Sequence, residues 1–140
     1  GISIVEEGRV LEECPLTAAH DPTEGGIRTG VQEICRRSGL GAVLREEDIP
    51  VREETRLLCA RYGMDPLGLL SSGVFLFTAA PGDAERACGL LRERGIPAAH
   101  VGRMLEAGDG VWLEKSGERQ ALAWSEQDEM VKLEAAGAAD

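Results

Sequence analysis

Ile4, Val5, Val10, Leu11 and Cys14 recur near a 3.6-residue period with charged residues between them. An amphipathic helix is therefore expected at the start, ended by Pro15, with Thr17-Ala18-Ala19 following as a short extended piece. A more regular helix begins at Gly26: Ile27, Val31, Ile34 and Cys35 form an apolar stripe, Arg28, Gln32, Glu33 and Arg36 face away, and Gly39 provides a glycine stop. Ala42-Val43-Leu44 predicts a strand leading into the acidic turn Glu46-Glu47-Asp48. In a third helix Val51, Thr55, Leu58, Cys59 and Tyr62 share one face before Gly63. Asp65-Pro66, an N-cap followed by proline in the first helical position, opens a single turn through Leu67 and Leu70.

The run Val74-Phe75-Leu76-Phe77-Thr78 is apolar on both faces, which predicts a central strand covered by the helices that begin near Gly26, Arg52 and Asp83. Pro81-Gly82-Asp83 is expected to cap the fourth helix, with Ala84, Ala87, Cys88 and Leu91 inward. Ala98 to Leu105 and Val111 to Leu113, joined by Gly108-Asp109-Gly110, predict a hairpin. Ser116-Gly117 then turns the chain into Gln120 to Trp124, and Ser125 with Asp128 outlines a capping box before a last helix. Helices alternating with strands and closed by a hairpin make an α+β domain with a mixed sheet.

The 140 residues suit one domain, and the missing initiator methionine suggests that residues 1–140 were cut from a longer protein. Fifteen basic against twenty-five acidic side chains give a net charge of −10, which repels a phosphate backbone and argues against nucleic acid. No apolar run approaches a membrane span and no secretion signal opens the chain, so membrane association is not expected and a cytoplasmic location is. Cys14, Cys35, Cys59 and Cys88 never form a Cys-x-x-Cys pair, which suits buried thiols in a reducing compartment. With His20 and His100 the only histidines, no cysteine-histidine zinc site is expected, and Glu46-Glu47-Asp48 reads as a solvated charge run rather than a metal site, so no metal site is expected.

Chemistry concentrates in His20-Asp21-Pro22-Thr23-Glu24-Gly25-Gly26. Glycines at the start of a helix leave unpaired N–H groups open to a phosphate or carboxylate, and His20, Asp21, Thr23 and Glu24 add groups that bond or titrate. The plainer reading is a turn in which Thr23 or Asp21 caps the helix.

With Ile27, this string resembles the loop that opens the C-terminal domain of a family including aminoimidazole ribonucleotide (AIR) synthetase, the hydrogenase maturation protein HypE, selenophosphate synthetase and thiamine monophosphate kinase. The AIR-synthase-related, HypE-like branch is the one it resembles most. Asp65 to Gly73 looks like a second family signature, and His100-Val101-Gly102-Arg103-Met104 a third and looser one, with Gly102 allowing close backbone approach. The resemblance implies the C-terminal domain of an ATP-dependent enzyme. It would close the active-site cleft over a small-molecule substrate and bind phosphate through His20, Asp21, Thr23, Glu24, Gly25 and Gly26, with Ser71, Ser72 and Gly73 either a second phosphate contact or a turn. It implies further that ATP and Mg2+ are held mainly by an N-terminal ATP-binding domain absent here, so the chain alone should bind neither and lack ATP turnover; a homodimer is compatible with the full-length protein. HypE ends in a cysteine that carries the transferred group, whereas no cysteine follows Cys88, so a HypE reaction is not expected. The alternative is a non-catalytic anion- or small-molecule-binding module, or an interaction module like those of hydrogenase maturation.

Overall fold

The computed structural model describes residues 2–125 and 127–137, with side chains as far as Leu133. In order, the elements are α1 (Val5–Val10), β1 (Leu16–His20), α2 (Gly26–Ser38), β2 (Gly41–Arg45), α3 (Glu53–Tyr62), β3 (Leu76–Ala79), α4 (Pro81–Glu93), β4 (Gly102–Leu105), β5 (Val111–Lys115), β6 (Glu118–Ala121) and α5 (Met130–Gly137). Short 3-10 turns cover Glu46–Asp48 and Pro66–Gly68. The expected α+β class and mixed sheet are both present: β4-β2-β5-β6 form one sheet, in which β2 and β5 run parallel and the other pairs antiparallel.

Two predicted strand arrangements are overturned. The loop around Gly108 does not close a hairpin, because β2 lies between β4 and β5. The loop instead wraps the start of β2, with Gly41 N–H donating to Glu106 O at 3.2 Å and Ala42 N–H to Gly110 O at 3.0 Å. The hairpin is β5–β6, turned by Ser116 (φ 51) and Gly117 (φ 82), the pair of positive φ values that a tight two-residue hairpin turn requires. Likewise β3 is not central: it pairs antiparallel with β1 alone, in a separate two-stranded ribbon, and Val74 and Phe75 precede it.

The reason is that covered faces do not require neighbours on both edges. Leu76 packs into the core formed by Val31, Cys35, Ala42, Leu44, Ile49, Leu67, Leu113 and Leu122, between α2 and the four-stranded sheet. Phe75 and Phe77 point the other way, into a second core of Leu11, Cys14, Ala87 and Leu91 from α1 and α4. The ribbon is thus held between two helices and reads as apolar throughout. Ile49 and Leu67, 2% and 3% exposed, each bury a whole side chain, worth about 1.5–3 kcal/mol apiece.

Helix α2 forms as expected, with its stripe inward and Gly39 (φ 74) as left-handed stop. Helix α1 is shorter than its pattern, since the chain turns after Val10 to seat Leu11 and Cys14. Helix α4 starts with Pro81 in its first position and has no side-chain cap, so Asp83 lies within it. Helix α3 does not cover β3 but packs against the Pro66–Gly68 turn and α5; of its expected face Cys59 is buried, while Leu58 and Tyr62 remain exposed. In the acidic turn Asp48 pairs with Arg45, and Glu46 with Lys115. Among the described residues no helix is long and apolar enough to cross a membrane.

Candidate functional site

The loop between β1 and α2 is shaped by the second signature. Pro22 is fully buried, and its carbonyl accepts from Ser71 Oγ at 2.8 Å, while the Thr23 carbonyl accepts from Ser71 N–H at 3.1 Å. Asp65 caps the 3-10 turn by accepting from Leu67 N–H at 2.9 Å and also pairs with Arg28 of α2. That turn is pressed against the start of the helix: a Cβ on Gly26 would lie 2.4 Å from Leu69 O and 2.6 Å from Leu67 O. Gly26 is therefore explained by close backbone approach within the fold.

The first turn of α2 is capped in an unexpected way. Gly25 adopts a left-handed φ of 72 and no side chain of the loop caps the helix, so neither Thr23 nor Asp21 fills that role. Gly25 N–H donates instead to Asp128 Oδ2 at 2.8 Å, and Gly26 N–H turns back to Thr23 O at 3.3 Å. The end is thus less bare than its glycines suggest. The N–H groups of Ile27 and Arg28 are the two without an acceptor among the described residues.

Beside this end lies a cleft of about 430 Å³ lined by His20, Thr23, Glu24 and Gly25, four residues singled out from the sequence, together with Thr29, Glu33, Trp124 and Ser125. His20 Nε2 lies 2.5 Å from Glu33 Oε2. Thr29 Oγ1 donates to Ser125 O at 3.3 Å, and the Arg36 guanidinium sits 3.7 Å above the Trp124 ring. The Thr23 hydroxyl makes no hydrogen bond among the described residues. Hydroxyl and backbone donors with a histidine suit a phosphoryl oxygen, while Glu24 and Glu33 restrict which charges can enter. Among the described residues no three His, Cys, Asp or Glu side chains gather to hold a metal ion.

Other residues singled out from the sequence fall outside the cleft. Asp21 is exposed, Gly26 is buried beneath the 3-10 turn, and Ser71 staples the loop from behind. Ser72 and Gly73 (φ 91) form a turn closed by Val74 N–H to Ser71 O. His100 is exposed, its carbonyl accepting from Arg45, and a Cβ on Gly102 would come 2.1 Å from Val43 O, the close approach its signature suggests. Sequence reasoning missed Thr29 and Glu33, although Gly25, Thr29 and Glu33 follow the four-residue spacing of one helix face. Trp124 and Asp128 carry no local sign of reaching α2; Ser125-x-x-Asp128 points only to the helix that follows. There Asp128, rather than Ser125, is the cap, accepting from Met130 N–H at 2.9 Å.

Residues 3–114 match the family described as AIR synthase related protein, C-terminal domain. A hydrogenase expression/formation protein of Methanocaldococcus jannaschii is 34% identical over 109 residues, covering 76% of this chain and 32% of that protein. The carbamoyl dehydratase HypE of Cupriavidus necator is 36% identical over 90 residues, 63% of this chain and 26% of that protein. A crystal structure of the hydrogenase maturation protein HypE in complex with ATP is 33% identical, with a TM-score of 0.78 over 89% of this chain and 40% of that one. The chain spans about a third or less of the length of these curated relatives. It belongs to the AIR synthase related family, as a match to that family's C-terminal domain.

Proposed function

We propose that this domain is the C-terminal part of an ATP-dependent AIR-synthase-related enzyme, in which it closes the active-site cleft and binds a phosphate or phosphorylated substrate. The observation that carries the reading is the cleft at the start of α2, where His20, Thr23, Glu24 and Gly25 come together. Thr23, which lines the cleft, would donate to a phosphate oxygen, with the partial positive end of α2 behind it. Phosphoryl transfer depends on positioning and on neutralising charge, which such a surface supplies. ATP and Mg2+ would be held mainly by an N-terminal domain of the same chain; that a HypE relative has been crystallised in complex with ATP supports the ATP-dependent part of this reading.

Two measurements test this. Titration with inorganic phosphate, followed by NMR, should shift the amides of Gly25 and Ile27, and Glu47→Ala, on an exposed turn away from the cleft, should leave the response unchanged. Shifts confined to other residues would reduce the loop to a turn. Separately, the 140-residue chain should show no magnesium-dependent ATP turnover; robust turnover would mean that the nucleotide site is self-contained.

A second reading is a non-catalytic binding module that holds an anion through the same cleft. A full-length protein that binds phosphate here without consuming ATP would establish it.

A further inference from the structure

After β6 the chain turns back along α2. Gln32 donates to the carbonyl of Leu122, Trp124 lies under Arg36, Thr29 donates to Ser125 O, and Asp128 reaches Gly25. This stretch lies beyond the family match, which stops at residue 114, yet it supplies one wall of the cleft. Deeper anchors hold it: Leu122 is 6% exposed and its N–H donates to Val111 O at 2.8 Å, while Glu129 is 8% exposed and accepts from Asp65 N–H at 2.9 Å.

Asp128 already occupies one backbone donor at the start of α2. Its Oδ2 accepts from Gly25 at the start of α2 and its Oδ1 from Met130 at the start of α5, so one carboxylate serves two helix ends. Each end favours negative charge, but a carboxylate and a phosphate cannot share one end without repulsion in a partly buried setting.

We propose that Asp128 is a built-in competitor for the anion site: its carboxylate leaves Gly25 when a phosphate group binds and returns when the phosphate departs. The inference rests on the phosphate-binding reading of the cleft. It makes the site self-inhibited: inorganic phosphate displaces Asp128 only at concentrations raised by the competition, and a phosphorylated substrate with further contacts does so at lower ones. If the carboxylate is seated about nine-tenths of the time, apparent phosphate affinity is lowered about tenfold.

The test is titration of the 140-residue chain and of Asp128→Asn with inorganic phosphate, read by amide shifts. Asn keeps an acceptor for one helix end and removes the charge, so Asp128→Asn should bind phosphate about tenfold more tightly. In the unsubstituted chain the Met130 amide, on a different helix, should shift at the same phosphate concentration as Gly25, because the carboxylate that leaves Gly25 is the one that accepts from Met130 and its movement changes that bond. This second readout does not depend on how the variant folds. Equal or weaker binding by Asp128→Asn, or a Met130 amide that stays fixed while Gly25 saturates, overturns this inference and leaves the cleft reading standing. Binding to neither chain overturns both.

Discussion

Replacing Gly26 by alanine should destabilise the domain by about 3 kcal/mol, from about 1–2 for a left-handed backbone at a residue with a Cβ and a similar amount for overpacking. At φ 63 the new methyl group would point at two backbone carbonyl oxygens, Leu69 O at 2.4 Å and Leu67 O at 2.6 Å, which are not the ends of flexible side chains and cannot turn aside. The 3-10 turn would have to back away from α2, weakening the Arg28–Asp65 pair and the Ser71 bonds that shape the loop. Urea denaturation of Gly26→Ala beside Gly108→Ala separates the causes. Gly108 has φ 87, and a methyl group there would meet nothing within 4 Å, so it reports backbone strain alone. Equal losses in the two variants would show that close approach at Gly26 costs nothing.

Glu129→Ala should cost about 2–3 kcal/mol, most of it from leaving the Asp65 N–H without its acceptor in a part-buried place. The Lys132 partner is half exposed, and its pair with Glu129 adds little beside that. Glu129→Gln distinguishes the roles, since it keeps an acceptor and removes the charge. Burial first, and the Glu129 charge second, push the Cys59 thiol above its ordinary value of 9.0. In Glu129→Gln the second cause disappears, so Cys59 should ionise at lower pH, yet still above that ordinary value. Alkylation of Cys59 against pH, read by peptide mapping, checks this; an unchanged profile would show that Glu129 does not act on the thiol. The stability linked to this raised value is fully present below the unfolded pKa and is lost as pH rises through the folded one.

What can be read from sequence is decided within a few residues. The stripe and glycine stop of α2, the Asp65 cap and the Ser116-Gly117 turn each depend on neighbours in the chain, and each is present. The strand pairings escape such a reading because they depend on what else enters the sheet: a glycine-rich loop joins β4 and β5, but β2 takes the place between them. The same holds for the site. His20, Thr23, Glu24 and Gly25 share a short segment and a cleft, whereas the wall made by Trp124 and the cap made by Asp128 come from the far end of the chain. Gly25 and Gly26 are legible as necessary glycines, but for a different reason from the one their position suggests. They make room for Thr29 and for the carbonyls of the 3-10 turn.

The place of β2 also sets a timetable for folding. Val43 faces Arg103 on one side and Trp112 on the other, so neither edge of this early strand can pair until much later chain has been synthesised. Closing such long loops slows folding more than it lowers final stability. During that wait Ala42, Val43 and Leu44, all buried in the finished fold, are an unpaired apolar strand on a growing chain. Residues 1–110, the chain made before β5, hold 18 acidic and 12 basic side chains, and this excess of six negative charges sets repulsion between nascent chains against the pairing of those strands with one another.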